Sequence, residues 1–149
     1  MKVRRQARIV ALQTLFEVDS VHHPPEQVLR QRLEDSPLPQ PGEDFARFLV
    51  SGVIEHQEQL DPLIQKYAPQ WPLDQMALID RNILRIALFE LLVAKSAPVK
   101  VVINEAVELA KLFGSDNSHR FINGVLGALL DHEAQWPEAF LNLTDSERK

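Results

Sequence analysis

The chain has 149 residues, 45% apolar and 25% charged, which fits one globular domain able to bury a sizeable core without staples. It contains no cysteine, which excludes a disulfide scaffold, a thiolate metal site, a cysteine nucleophile and an iron–sulfur cluster. The net charge of −5 is unevenly placed: Lys2, Arg4, Arg5 and Arg8 are four of the sixteen basic residues, and the 141 residues after position 8 carry −9.

The apolar period is helical almost throughout. A first helix is predicted over residues 3–19, with Val3, Ala7, Val10, Ala11, Thr14, Leu15 and Val18 as its apolar stripe. Ile9, Leu12 and Phe16 form a second, narrower stripe beside Arg5. His22-His23-Pro24-Pro25 closes this helix, because proline cannot continue it and restricts the residue before it. A short helix near 26–34 follows, then a loop by composition at 36–42 (SPLPQPG). A third helix is predicted over 43–60, and Asp61-Pro62 reads as an N-cap with proline at the first position of a new short helix. Residues 68–72 (APQWP) end that one.

The segment 74–93 is apolar nearly all round, with Arg81 and Arg85 alone marking a polar edge in its middle. A helix with so little polar face belongs at the centre of a fold. Ala97-Pro98 breaks the pattern, and a further helix spans 99–113 with Gly114 as its C-terminal stop. Ser115 or Asp116 can cap the last long helix, which runs to about 131 and leaves a polar, proline-interrupted tail over 132–149. The expectation is an all-α fold of about seven helices around the 74–93 segment.

Enzyme chemistry finds little support. There is no H-E-x-x-H, no phosphate-cradling glycine loop, and no nucleophile–base spacing beyond the adjacent Ser118 and His119. Glu55-x-x-Glu58 and Glu105-x-x-Glu108 read as solvated helix faces, so no metal or cofactor is expected. No apolar run approaches the roughly 18 residues of a membrane span, and no signal-peptide core opens the chain. Gly124-x-x-Gly127 lies inside a helix and reads as close packing or ligand clearance.

Nucleic-acid chemistry has more to stand on. At about 100° per residue, Arg4, Arg5 and Arg8 share one sector of the first helix. Lys2 and the helix N-terminus add positive potential at the same end. Forked, permanently charged donors suit phosphates, although a solvated terminal charge run has the same spacing. On the last helix Phe121 falls at the flank of the buried face, next to Asn117 and Gly124. Beside Ser118, His119 and Arg120 it can stack a base, or it can simply extend the core. Val101 and Leu112 lie outside the apolar arc of their helix.

Residues 98–115 (PVKVVINEAVELAKLFGS) and 118–126 (SHRFINGVL) closely resemble the signature of the NusB family of transcription antitermination factors. So do residues 80–92 (DRNILRIALFELL), and 4–8 (RRQAR) with 11–16 (ALQTLF) resemble the family's arginine-rich first helix. The resemblance covers about residues 3–130. It implies two packed three-helix bundles, forming one helical RNA-binding domain over 1–131 ahead of the 132–149 tail. It further implies a cytoplasmic, non-enzymatic protein that binds single-stranded boxA RNA in ribosomal RNA operon leaders. The implied partner is the small-subunit ribosomal protein NusE, within an antitermination complex on RNA polymerase.

The family's RNA-contact positions fall on the arginine cluster, on Asn117 (often Asp in relatives) and on Phe121; its partner positions fall on Phe16 (often Tyr) and Asp80 (often Glu). Phe16 has no hydroxyl with which to reproduce a hydrogen bond made by Tyr. A similar domain opens some ribosomal-RNA cytosine methyltransferases, but this chain stops about where a catalytic domain would start. The competing class is a protein-interaction module that holds the ribosomal protein without touching RNA. A homodimer masking the arginine surface is also compatible with the sequence.

Overall fold

The computed structural model describes residues 2–132. Of the tail predicted at 132–149, all but His132 lies outside the described residues. Among the described residues there are six α-helices, a 3₁₀ turn and a π-helical turn, and no strand. The all-α expectation holds, with one helix fewer than the seven expected. The described residues form two compact units that divide between residues 55 and 56.

The first unit comprises α1 (Val3–Val21), α2 (Pro25–Asp35) and the first half of α3 (Gln40–Tyr67). Of the first stripe expected on α1, Ala7, Val10, Ala11 and Leu15 are buried, Val18 is half-buried and Val3 is exposed; of the second, Leu12 is buried, Ile9 half-buried and Phe16 exposed. Thr14 joins the buried residues because its hydroxyl donates to the Val10 carbonyl at 2.8 Å, one turn back. The helix stops at His22, which adopts the left-handed conformation at φ 60° and donates its N–H to the Val18 carbonyl. α2 starts on Pro25, whose missing N–H costs nothing in a first turn, and buries Val28 and Leu29. Glu17 accepts hydrogen bonds from His23 Nδ1 and Arg32 Nη2, both at 3.1 Å. These bonds, the His23 bond foremost, hold its carboxyl below the usual glutamate range.

α3 departs from the sequence expectation at both ends. It begins at Gln40, so the last residues of the predicted loop form its first turn, where Pro41 is tolerated. It also runs unbroken through Asp61-Pro62 to Tyr67, where a break and a new helix were expected. Asp61 is no cap. Its carboxylate accepts two hydrogen bonds from one edge of the Arg85 guanidinium, from Nε at 2.8 Å and from Nη2 at 2.9 Å. That pairing holds the helix across the proline, whose ring is solvent-exposed.

In the second unit, α4 (Leu78–Leu88) passes directly into a π-helical turn, Phe89–Ala94, which closes at Lys95 in the left-handed conformation. The predicted start at 74 is instead a 3₁₀ turn, Leu73–Gln75, followed by extended Met76 and Ala77. From Ile83 to Val93 every residue is buried, as the all-round apolar pattern predicted. Arg85 is not the polar edge that its spacing suggested: it is 4% exposed and neutralised by Asp61. α5 (Val99–Phe113) and α6 (Ser118–Asp131) pack against α4 and against each other. Gly114 ends α5 in an extended conformation, not a left-handed one. A glycine is needed there because a Cβ would lie 2.5 Å from the Ser118 side chain.

Breaking a buried ion pair from one side strands the other charge, which typically costs about 3–5 kcal/mol. Asp61→Ala is therefore expected to lower unfolding free energy by about that amount, while the double variant Asp61→Ala/Arg85→Met recovers much of it. Urea denaturation of the two variants and the unsubstituted chain checks this.

Candidate nucleic-acid interface

The basic residues of α1 do not form one equivalent set. Lys2 is exposed and precedes the first helical residue with extended backbone. Arg4 is exposed, with its guanidinium carbon 4.4 Å from the centroid of the Phe45 ring. Arg5 is half-buried. Arg8 is buried, 3% exposed, and lies 5.3 Å from the same Phe45 centroid. Phe45 in turn stacks on Phe48 at 6.3 Å, and Phe48 is 44% exposed. Cation–π contact with Phe45 thus fixes two of the arginines. Lys2, Arg4 and Arg5 present charge to solvent; Arg8, predicted as an equal member of the cluster, is a packing residue. Phe16 is 36% exposed.

Phe45 was not anticipated from sequence. The motif FARF at 45–48 carries aromatics three apart at the start of a helix, but nothing local says which cations they meet.

The second cluster lies in the second unit. A pocket of about 670 Å³ is lined by Trp71, Met76, Asp80, Asn117, Arg120 and Phe121, with Gln75, Ala77, Ser115 and Ser118 completing the wall. Asn117 is exposed and immediately precedes α6, Arg120 is exposed, His119 is half-buried, and Phe121 is half-buried at the flank where the helical wheel put it. Ser118 is different: it is 2% exposed, and its Oγ accepts the Ser115 N–H at 2.8 Å. That bond holds the turn before α6, and Ser118 meets the pocket from beneath its wall.

Asp80, the second partner position that the resemblance implies, is neither a surface residue nor the cap of α4. It sits in the first turn of α4, after Ala77 at the cap position, and is only 9% exposed. Desolvation pushes its carboxyl above the usual aspartate range, a hydrogen bond from Ser118 opposes that shift, and Oδ1 has no hydrogen-bond partner. The pocket therefore has an aromatic wall, an amide and a guanidinium at its rim, and a buried carboxyl in its lining. Trp71 is the residue that sequence reading missed. Its only local signal is a large aromatic between Pro69 and Pro72, a segment read merely as a helix terminator.

Among the described residues no group of histidines, aspartates and glutamates could hold a metal ion, and no helix is long and apolar enough to cross a membrane.

With this geometry in place, comparison with known proteins is informative. The NusB family model matches residues 5–131. The chain is 55% identical over 130 residues to the transcription antitermination protein NusB of Roseiflexus castenholzii, covering 86% of this chain and 92% of that protein. It is 46% identical over 126 residues to the same-named protein of Dehalococcoides mccartyi, covering 85% and 88%. Among solved structures it is similar to T. maritima NusB, at 34% identity and TM-score 0.78 over 94% of this chain and 97% of that one. It is likewise similar to a chain in the crystal structure of antitermination factors NusB and NusE in complex with dsRNA, at 27% identity and TM-score 0.81, covering 89% and 98%.

The buried carboxyl supplies a pH test. Because the folded-state pKa of Asp80 is raised, the native chain binds more protons than the unfolded one between the ordinary aspartate value and the raised value. Stability contributed by this group should therefore fall as pH rises through that interval. Asp80→Asn removes the titration, so its stability relative to the unsubstituted chain should improve across the same interval. Denaturant midpoints measured from acidic to neutral pH check this; a pH-independent difference would contradict it.

Proposed function

The chain belongs to the NusB family of transcription antitermination proteins, a non-enzymatic family, and we propose that it binds boxA RNA of ribosomal RNA operon leaders together with NusE. The observation that carries this reading is Phe121, half-exposed on the wall of a large pocket with Asn117 and Arg120 at the rim. An aromatic face next to an amide and a guanidinium is the equipment for holding an unpaired base and its phosphate. A core-extending phenylalanine would not line open space.

Residues 1–131 act as one RNA-binding domain in this reading. Lys2, Arg4 and Arg5 supply phosphate contacts from the first unit, with Arg4 pre-set on Phe45. Asn117, His119, Arg120 and Phe121 engage bases and backbone from the second, and Arg8 and Ser118 support their neighbours. NusE docks through surfaces that include Phe16 and the neighbourhood of Asp80, and the assembled pair joins the antitermination complex on RNA polymerase in the cytoplasm. The similar NusB–NusE structure containing RNA supports this partnership. The RNA in that structure is double-stranded, whereas the RNA proposed here is a single strand. Because Asp80 is buried, its part in partner binding would be to shape the pocket floor rather than to offer a surface charge.

Each phosphate contact to a single strand contributes about 0.7 to the slope of log affinity against log salt. Replacing Lys2, Arg4 and Arg5 together by Gln should lower that slope by about 2, equally for boxA and scrambled RNA, since phosphate contacts carry no sequence information. Arg8→Gln should leave the slope unchanged and lower thermal stability instead. A salt titration of RNA binding with NusE present reads both, and equal slopes for the triple variant and the unsubstituted chain would return these residues to a solvated terminus. Phe121→Ala should weaken RNA binding by about 1–3 kcal/mol with little effect on unfolding. RNA affinity unchanged in the folded fraction, alongside collapsed stability, would mean that the ring belongs to the core.

A further inference from the structure

Trp71 is 54% exposed, the largest side chain among the exposed apolar residues described in the second unit. Its indole is open, yet its backbone is held on several sides. The Trp71 N–H donates to the Ala68 carbonyl at 3.1 Å. Gln65 Nε2 donates to the Trp71 carbonyl at 3.0 Å, and Gln65 Oε1 accepts the Leu73 N–H at 2.8 Å. Arg81 Nη1 donates to the Leu73 carbonyl at 3.0 Å. Pro72 further restricts Trp71 from the C-terminal side. A pinned backbone under an exposed indole is a stacking platform whose ordering cost is met before any ligand arrives.

That platform faces two cavities. Besides the 670 Å³ pocket, Trp71, Arg120 and Phe121 border a second one of about 360 Å³, whose other walls include Tyr67, Gly124 and Val125. Two features of the second pocket lack an explanation from folding. Gly124 occupies an exposed position inside α6, where glycine is unfavourable, and a Cβ built there meets nothing within 4 Å. Close packing is therefore not the reason for glycine; its absent side chain keeps the pocket open. In addition, the Tyr67 hydroxyl is buried without a hydrogen-bond partner. The first pocket has the same feature in Asp80 Oδ1.

We propose that the second pocket is a nucleobase subsite, adjacent to the one at Phe121, in which an unpaired RNA base stacks on Trp71 over the clearance left by Gly124. The two subsites take neighbouring bases of one strand, and Arg120, common to both pockets, holds the phosphate between them. This rests on the RNA-binding reading above and adds to it a position and a stacking residue.

The test uses the full chain with purified NusE and a single-stranded boxA oligonucleotide, with Phe121→Ala as the reference for RNA binding itself. Trp71→Ala is expected to weaken binding by between about 5-fold and 150-fold, the range for losing one base–aromatic stack. Gly124→Leu fills the pocket without removing any contact, and should weaken binding while keeping or raising thermal stability. Trp136 is the other tryptophan of the sequence. In a Trp136→Phe background the RNA should quench Trp71 emission, and one abasic position in the oligonucleotide should abolish both the quenching and the effect of Trp71→Ala. If Phe121→Ala weakens binding while Trp71→Ala and Gly124→Leu bind normally, the second subsite is wrong and the RNA-binding reading stands. No RNA binding by the unsubstituted chain with NusE would sink the reading and the subsite together. Should Trp71→Ala fail to fold, emission from intact Trp71 and the Gly124→Leu variant decide the matter. Unquenched emission with normal Gly124→Leu binding overturns the proposal.

Discussion

Arg85 is a guanidinium with 5% side-chain exposure, and a charge so placed must be neutralised inside the protein or the fold pays heavily for it. Asp61 neutralises it in two-pronged geometry across 24 residues of sequence. Several features of the second unit follow from that one constraint. α3 has to continue past Pro62 for Asp61 to sit opposite α4. α4 is fixed at its centre, so its first turn, which carries Asp80, has a defined place. The Ser118–Asp80 hydrogen bond then links that turn to the start of α6, and the residues from Asn117 to Phe121 are positioned around the pocket. The ion pair lies outside the pocket lining, yet the walls that α4 and α6 supply stand on the element it anchors.

Much of this was legible in the sequence, for identifiable reasons. The apolar runs at 74–93 and on α1 announce buried helices because burial is periodic with the helix and needs no knowledge of the partner. Phe121 at the flank of α6 was equally readable, since a helical wheel fixes a residue's direction from its neighbours alone. What failed were the inferences that depend on a distant group. Asp61-Pro62 has the local form of a helix start, and only Arg85, far along the chain, converts it into a helix interior. Arg81 and Arg85 share a helix edge, and what buries Arg85 is the Asp61 carboxylate 24 residues away.

The same logic separates the basic residues. Spacing assigned Arg4, Arg5 and Arg8 to one sector and so to one role. The structure divides them because Phe45, outside that helix, takes the Arg8 guanidinium into a buried position and leaves Arg4 exposed above the ring. A guanidinium stacked on an aromatic face keeps its in-plane donors for other acceptors. Arg4 is therefore ordered at the surface, and a phosphate arriving there meets a guanidinium whose side-chain entropy is already partly spent. Phe45 is legible only in hindsight, as an aromatic whose worth lies in a cation 41 residues upstream.

Charge and aromaticity divide the work of recognition in a way that composition alone foreshadows. A chain whose residues beyond position 8 carry −9 repels a polyanion over most of its surface. Attraction must then come from the few cations gathered at one end, and long-range attraction of that kind is non-specific. Short-range selection has to be built from uncharged surface that does not add to the repulsion. Phe121, Asn117 and Trp71 are such groups, and the one carboxyl in their pocket, Asp80, is buried with its ionised form disfavoured. Burying that carboxyl thus does two things at once: it keeps the group off the surface that a phosphate approaches, and it leaves a hydrogen-bonding group within the pocket lining.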